Sequence, residues 1–173
     1  ALSTDSSSVD GVTVTDVLEL CVDDIYGTVA QHVTAQYQLA RDSGNKTLIA
    51  YEGGQHLGGQ GPRPGGGRME DDVDFQNLMI AANRDPRMHN LYQAYFKLWG
   101  DIVVSSNNNK EEGTTAGGTF AHFSFIGQPS KWGSWGVKES YYHNDTVNDS
   151  PKWMTVKGIA DYCNTNNNAA AAQ

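Results

Sequence analysis

The sequence predicts an α/β protein, because stretches with helical periodicity alternate with short apolar runs that end in turn residues. Three segments carry this prediction. A long amphipathic helix is expected over residues 16–41, a short strand that ends at Glu52 follows it, and a second strand is expected over residues 120–126. The order helix, strand, helices, strand is typical of α/β proteins with parallel strands.

The first helix is predicted from apolar residues that recur at steps of three and four. These residues are Leu18, Val22, Ile25, Val29, Val33 and Tyr37. Asp16 and Glu19 have the spacing of a capping pair, and Ser43-Gly44 has the composition of a helix end. One long amphipathic helix is therefore expected.

The strand that follows carries the most informative residue of the chain, Glu52. Residues 47–50 are apolar or β-branched, which favours a strand buried on both faces. Barrel enzymes present catalytic carboxylates at the ends of such strands, and Gly53-Gly54 would allow a ligand to approach the backbone closely. Glu52 is therefore the candidate catalytic residue; the alternative is a strand-end carboxylate that accepts hydrogen bonds from loop amides.

The middle of the chain is expected to form a loop and two helices. Residues 58–67 are rich in Gly and Pro and fit neither periodicity. A helix should begin near Asp72, and a second should begin at Pro86. The predicted inner faces are Phe75, Leu78, Met79 and Ala82 for the first helix, and Leu91, Tyr92, Tyr95, Leu98 and Trp99 for the second.

The last third should contain two strands and a closing helix. Residues 102–104 are expected to be extended, residues 105–118 to form a mobile loop, and residues 120–126 to form a strand buried on both faces. A helix is expected over residues 151–163. We divide the chain into one domain, residues 1–162, and a low-complexity tail, residues 163–173.

Composition excludes several classes of function. The chain has 173 residues with 38% hydrophobic content, which suits one domain, and no run reaches the roughly 18 apolar residues that a membrane span needs. A net charge of −8 with 12 scattered basic residues disfavours nucleic acid. No metal-ligand spacing, phosphate loop or dinucleotide fingerprint occurs, so no metal and no cofactor is expected.

Three further patterns bear on the compartment. The sequence has no start Met and no signal peptide, and its Ser-rich opening looks like the end of a processed or truncated polypeptide. Asn45 and Asn144 begin tripeptides of the N-glycosylation type, so both are candidate glycan sites of a secreted protein. Cys21 and Cys163 could form a disulfide between the first and last helices in an oxidising compartment, or remain two buried free thiols.

Several motifs together resemble a known family. Tyr-Glu-Gly-Gly-Gln-His-Leu around Glu52, Ala-Asn-Arg-Asp-Pro-Arg-Met, Phe-Ala-His-Phe-Ser, and residues 131–136 (Lys-Trp-Gly-Ser-Trp-Gly) occur in the order found in secreted glycoside-hydrolase-like (β/α)8 proteins. The match covers the C-terminal portion, about the last quarter to third of the barrel, and is similar to the cellulase-type retaining clan. The resemblance implies that Glu52 ends strand seven as the nucleophile, that residues 120–126 form strand eight, and that Trp135 stacks on sugars.

Other residues near these motifs are candidates for sugar binding. His56 and His122 could contact a sugar or Glu52, or each could be a structural histidine. Trp135 could stack on a pyranose ring, whereas Trp132 is expected to pack against the barrel rim. The candidate site therefore consists of catalytic Glu52 and substrate-binding His56, His122 and Trp135.

The chain also departs from the family. A complete barrel needs eight strands in about 250 residues. Retaining glycosidases need a second carboxyl group about 5.5 Å from the nucleophile. In this clan that acid follows an Asn, and no Asn-Glu dipeptide occurs here.

Two functions follow from these departures. The first is a carbohydrate-active protein that hydrolyses or binds extracellular glycans, whose isolated chain is inactive and whose barrel is completed or covered by other protein chains. The second is a non-catalytic subunit of an extracellular filament, matrix or surface assembly.

Overall fold

The computed structural model describes residues 8–58, 61–62, 66–104 and 118–171, and within them the chain forms five α-helices and two small sheets. The strands are β1 (Ser8–Val9), β2 (Val12–Thr13), β3 (Ala50–Gly53) and β4 (Phe120–His122). The helices are α1 (Val14–Asp24), α2 (Ala30–Asp42), α3 (Val73–Arg84), α4 (Met88–Trp99) and α5 (Pro151–Ala171). The α/β class is confirmed.

The described chain begins with a β-hairpin that the sequence analysis did not predict. β1 and β2 are antiparallel, and the two turn residues Asp10 and Gly11 both have positive φ, as a tight hairpin turn requires. β2 leads directly into a capping box, in which the Asp16 carboxylate accepts a hydrogen bond from Thr13 N at 2.7 Å and Thr13 Oγ1 accepts one from Asp16 N. The predicted pairing of Asp16 with Glu19 is therefore wrong.

The predicted long helix is confirmed, with one irregular turn in its middle. A π-helical turn, Ile25–Val29, joins α1 to α2, so the helical segment is continuous from Val14 to Asp42. Gly44, with φ of 94°, follows the helix end at the predicted place.

Two apolar clusters form the core. In the first, α1 packs on α3 and α4 through Val14, Val17, Leu18, Ile25, Leu78, Met79, Ala82, Met88, Leu91 and Tyr92. The second cluster contains Tyr37, Trp99 and Val103, with Ala50 and Phe120 of the sheet packed against it. The inner faces predicted for α3 and α4 are those that the structure buries.

The second sheet consists of β3 and β4, which are parallel neighbours joined by a connection that contains α3 and α4. Its strands are covered on one face only, contrary to the prediction. Ala50 and Phe120 pack on the second core, but Tyr51 is 83% exposed and Phe125 is 50% exposed. The apolar residues of these strands thus indicated two covering layers, whereas the described chain provides one.

The sequence predicted that residues 102–104 are extended, but this prediction is wrong. These residues belong to a π-helical turn, Gly100–Val104, that continues α4. Val103 is fully buried there beside Tyr37 and Trp99. Burial of this side chain therefore determines the local structure more strongly than the β propensity of Ile and Val. The loop predicted over residues 105–118 lies outside the described residues except for Gly118.

The closing helix is confirmed as α5, which continues through the low-complexity segment to Ala171. The predicted disulfide is not formed, because Cys21 and Cys163 are both free thiols. Cys21 packs against the first core, which contacts α5 at Val156, whereas Cys163 is exposed about two helical turns further on. Burial, and secondarily Asp24, raises the pKa of the Cys21 thiol.

Gly27→Ala should stabilise the protein. Gly27 lies in the π-helical turn, and a Cβ there would meet no atom within 4 Å. The alanine would reduce the conformational entropy of the unfolded chain, so we expect a gain of about 0.5–1 kcal/mol in the free energy of unfolding. Urea denaturation measures this gain, and a loss of stability would show that the π turn requires glycine.

Candidate functional site

The predicted site residues lie around one edge of the β3–β4 sheet. The carboxyl ends of two parallel strands meet at the same edge, so the segment after β3 and the segment after β4 are neighbours. Phe123 N donates to Gly53 O at 2.8 Å and continues the pairing past β4. We call the surroundings of Glu52, His56, His122 and Trp135 at this edge the strand-end site.

Glu52 lies in a β-bulge. Ala50 pairs with Phe120 and Gly53 pairs with His122, so Tyr51 and Glu52 together stand opposite the single residue Ala121. All three of these residues are exposed, whereas Ala50 and Phe120 pack on the second core. Among the described residues, none forms a hydrogen bond or ion pair with the Glu52 carboxylate. The carboxylate is therefore accessible on the uncovered side of the sheet.

His56 and Trp135 come together at this edge. Their ring centroids are 5.5 Å apart in an edge-to-face arrangement, and the Phe123 ring lies 6.2 Å from Trp135. Trp135 O also accepts a hydrogen bond from Ser124 N at 3.2 Å. His56 is exposed and Trp135 is half-buried, so both are placed to contact a ligand.

Trp132 occupies a different position from the one predicted. Its side chain is 43% exposed instead of packed, and the Lys131 ammonium lies 4.6 Å from the centre of its ring. A cation over an indole ring is a favourable arrangement that shields part of the ring from water. Of the two tryptophans in this motif, only Trp135 contacts the other residues of the strand-end site.

His122 is separated from the exposed face on which Glu52 lies. Its Nε2 is 3.0 Å from the hydroxyl of Tyr92 on α4, so the ring points towards the helices. Burial, and then the nearby Lys152, lowers the pKa of His122 to about 4, and burial raises the pKa of Tyr92. At neutral pH His122 and Tyr92 are therefore both uncharged, and their contact links β4 to α4 on the helix-covered side of the sheet.

A polar network that the sequence analysis did not predict joins these segments at the carbonyl oxygen of Ser134. Three side chains donate to this oxygen: Gln55 Nε2 at 2.6 Å, Lys152 Nζ at 2.6 Å and Asn83 Nδ2 at 3.2 Å. Gln55 Nε2 also lies 3.1 Å from Asn83 Oδ1. We call this set of four residues the Ser134 network; it connects the residue before Trp135 to the residue before His56.

Lys152 is the charged member of this network and is only 4% exposed. Within the described residues it has no ion-pair partner. Burial lowers the pKa of Lys152 to about 7, although Glu139 acts in the opposite direction. A buried lysine of this kind can act as a nucleophile in some enzymes, but here its nitrogen is engaged by a backbone carbonyl. We assign it a positioning role.

A weak sequence signal pointed to Lys152. It directly follows Pro151 in the first turn of the predicted closing helix, where positive charge opposes the helix dipole. Asn83 follows Ala82, which the sequence placed on the inner face of α3. The carbonyl group that joins them has no sequence signature.

An apolar groove of about 560 Å³ lies beside the strand-end site, between α1 and the segment after β3. Its walls include Leu20, Ile25, Leu57, Met79, Leu91 and Tyr95, and Gln55 and His56 lie at its polar end. A groove of this size is in the range that binds a small ligand or an inserted side chain. The uncovered sheet face and this groove are both apolar surfaces that further polypeptide could cover.

The glycines after Glu52 have a role other than the one predicted. Gly54 has φ of 131°, and a Cβ at this position would lie 2.8 Å from Nε2 of His122. A Cβ at Gly53 would overlap the Phe120 ring. Both glycines are therefore explained by the aromatic rings beneath them, and no ligand is needed to account for them.

Asn45 and Asn144, the candidate glycan sites, are both exposed, and their glycosylation stays a prediction. No helix in the described part of the chain is long and apolar enough to cross a membrane. Across the same residues, no group of three or more His, Cys, Asp and Glu side chains is arranged to hold a metal ion.

Comparisons with protein-family models, with curated proteins and with solved structures found no match to this chain.

Gly54→Ala should destabilise the protein more than Gly44→Ala. Both glycines have positive φ, but a Cβ at Gly44 would meet nothing within 4 Å, whereas at Gly54 it would press on His122. Backbone strain costs about 1–3 kcal/mol in each case, and displacement of the His122 ring adds about 1–3 kcal/mol to Gly54→Ala alone. Equal losses in the free energy of unfolding would show that the His122 contact is easily relieved.

In the parent protein, the free energy of unfolding should increase with pH, and Lys152→Met should abolish this increase. In the native state the pKa of Lys152 is about 7, whereas in the unfolded chain it is near 10.5. Between these values the unfolded chain binds the additional proton, so the free energy of unfolding of the parent protein increases with pH, and below pH 7 the cost of the buried charge is fully present.

Urea titrations at several values between about pH 7 and pH 10 measure this dependence. Lys157→Met is the control, because Lys157 is 42% exposed and pairs with Asp161. We expect the control variant to keep the pH-dependent rise and Lys152→Met to lose it. A rise of unchanged size in Lys152→Met would contradict the assignment.

Proposed function

We propose that this chain supplies the nucleophile side of a retaining glycoside-hydrolase-type site, as part of a partial (β/α)8 barrel. The observation that carries the proposal is the exposed Glu52 carboxylate, which lies in a bulge at the end of a parallel strand next to the His56–Trp135 pair. Parallel strands joined by helices are the repeating unit of such barrels, whose active sites lie at the carboxyl ends of the strands.

The chemistry assigned to Glu52 is attack of a carboxylate oxygen on the anomeric carbon of a glycan. The glycosidic bond breaks, a glycosyl-enzyme ester forms, and water later hydrolyses this ester. A second carboxyl group about 5.5 Å away must protonate the leaving oxygen and then activate the water. We assign this second group to polypeptide outside the 173 residues.

Trp135 and His56 are proposed to bind the sugar beside Glu52. An indole ring presents a flat apolar surface to the axial C–H groups of a pyranose, and an imidazole can donate to or accept from a hydroxyl group. His122 supports the sheet through Tyr92 instead of contacting the glycan. An extracellular location is part of this proposal, because the glycan polymers that such a site cleaves lie outside cells.

A non-catalytic subunit of an extracellular filament, matrix or surface assembly is the second candidate. The uncovered sheet face and the apolar groove support it, because Tyr51 and Phe123 are unusually exposed for aromatic side chains and neighbouring chains would cover them. Both candidates require other protein chains, and they differ in whether Glu52 reacts.

Glu52→Gln should abolish covalent labelling of the assembled protein. A 2-deoxy-2-fluoro glycoside with a good leaving group traps a glycosyl ester on a carboxylate nucleophile. In material isolated with its native partner chains, we expect such reagents, offered as a panel of glucose, xylose and mannose derivatives, to modify Glu52. Peptide mass mapping locates the ester, and activity on matching polysaccharides should fall by several orders of magnitude in Glu52→Gln.

Glu19→Gln is the matched control, because Glu19 is an exposed glutamate on α1, and it should keep full labelling. The isolated chain should release no reducing sugar from any polysaccharide. Absence of an ester on Glu52 in the native assembly would favour the non-catalytic subunit. Sugar release by the isolated chain that Glu52→Gln abolishes would show that no second polypeptide is needed.

A further inference from the structure

A second cavity, of about 310 Å³, lies between the end of α3 and the loop that leads into α5. Arg84, Glu139, Tyr142, Asn144 and Asp149 are among the residues that line it. In contrast to the apolar groove, four of its polar residues form two hydrogen-bonded pairs, and His143 and Asn148 also line it. None of these residues belongs to the strand-end site.

The polar pairs place donors and acceptors side by side. Arg84 binds Glu139 through two parallel bonds, Nε to Oε1 at 2.8 Å and Nη2 to Oε2 at 2.7 Å. Asn144 Nδ2 donates to Asp149 Oδ2 at 2.7 Å. A guanidinium has five N–H donors and a carboxylate about four acceptor positions, so each pair keeps capacity for further hydrogen bonds. Paired planar groups of this kind match the adjacent hydroxyls of a sugar ring.

An aromatic ring stands at the edge of this cavity. Tyr142 is 92% exposed, and its ring is nearly perpendicular to that of Tyr141, with centroids 6.3 Å apart. A tyrosine that remains almost fully in water loses the stabilisation that burial of its ring would provide. Covering this ring with the apolar face of a ligand would recover part of that stabilisation.

The loop that carries these groups is held at both ends. Lys138 Nζ and Trp153 Nε1 donate to the same oxygen of Asp145, at 2.9 and 2.8 Å, and Lys138 is only 8% exposed. Tyr142 N donates to Ser140 Oγ at 3.2 Å. A binding surface that is ordered before the ligand arrives requires less loss of conformational entropy on binding.

Charge restricts the class of ligand. One guanidinium and two carboxylates give the cavity a formal charge of about −1, which disfavours phosphate, sulfate and uronate groups. The carboxylates of Glu139 and Asp149 already accept hydrogen bonds, and no metal-binding group of side chains occurs among the described residues. A neutral polyhydroxyl ligand fits these groups best.

We propose that this cavity is a second saccharide-binding site, in which a neutral sugar stacks on Tyr142 and its hydroxyls bond to the Arg84–Glu139 and Asn144–Asp149 pairs. A volume of 310 Å³ accommodates about one sugar residue, near the lower limit for ligand pockets. The site goes beyond the proposed function, because it needs neither Glu52 nor the missing part of a barrel. It would hold a glycan chain to the protein without cleaving it.

Two adjacent tyrosines allow a matched test. Tyr142 lines the cavity, whereas Tyr141 is 73% exposed and does not. The chain is produced in a bacterial host, so that Asn144 carries no glycan, and Glu52→Gln with Trp135→Ala is used as the background to remove the strand-end site. Affinity electrophoresis in gels that contain barley β-glucan, hydroxyethyl cellulose, xylan or galactomannan then measures binding.

We expect at least one of these polysaccharides to retard the background chain. Tyr142→Ala should weaken the retardation about tenfold, and Tyr141→Ala should change it less than twofold. Arg84→Lys, which keeps the charge but loses the bidentate pair, should also weaken binding. Circular dichroism and thermal unfolding of each variant establish that the chain remains folded.

Three results would overturn the proposal. They are equal losses in the two tyrosine variants, no retardation of the background chain by any neutral polysaccharide, and preferential retardation by the anionic polymer polygalacturonate. If the unmodified chain is retarded and the background chain is not, glycans bind at the strand-end site alone; that outcome refutes the second site and leaves the proposed function standing.

Discussion

The carbonyl oxygen of Ser134 is the point at which distant parts of the chain are fixed to one another. Gln55 reaches it from the segment after β3, Asn83 from α3 and Lys152 from α5. A carbonyl oxygen has two lone pairs, so the three donors compete, and the two bonds of 2.6 Å belong to Gln55 and Lys152. Because Trp135 is the next residue, this oxygen also sets where its indole ring lies relative to His56.

This arrangement carries a cost that the fold must offset. An ammonium group buried without a carboxylate partner is unfavourable, and here it lies in the first turn of a helix, whose dipole adds to the penalty. Because burial disfavours the charged form, the pKa of Lys152 is lowered to about 7. The strong bond to Ser134 offsets part of it, and a near-neutral amine can still donate to the carbonyl after it loses its proton.

The second constraint is that, among the described residues, helices cover only one face of the parallel sheet. That single layer explains why the Ala50 and Phe120 side chains are packed while Tyr51 and Phe125 are exposed. It also leaves the Glu52 carboxylate accessible. In a closed barrel the opposite face of each strand would be covered by the other strands. Under the proposed function, the exposure of this face and the need for a second acid from other polypeptide therefore have the same explanation.

The sequence predicted those features that depend on local periodicity. α1 to α5 were found because their apolar residues repeat at helical spacing and because Asp72, Pro86 and Gly44 have strong positional preferences at helix ends. His56 and Trp135 were predicted separately as sugar-binding residues, and the structure brings their two rings together.

The failures have a different physical origin. An apolar run such as residues 120–126 indicates burial but does not show which polypeptide buries it. Burial on both faces was therefore expected, whereas the described residues cover only one face. The Cys21–Cys163 pairing assumed that the first and last helices are outer-layer neighbours separated by a single helix, but α5 extends past the core before it reaches Cys163. The Ser134 network joins residues up to 79 positions apart through a backbone atom, which no side-chain pattern reveals.

Both candidate sites take residues from the same connecting segment, which begins after β4 and ends at α5. Its first part presents Trp135 and is fixed by Gln55 and Lys152; its second part presents Tyr142 and is fixed by the Asp145 contacts to Lys138 and Trp153. Between them, Val137 N donates to Ser124 O, and Lys138 N donates to Phe125 O. A glycan held at one site would therefore act on a segment that is rigidly tied to the other, and the spacing of the two sites is set by backbone pairing instead of by a flexible linker.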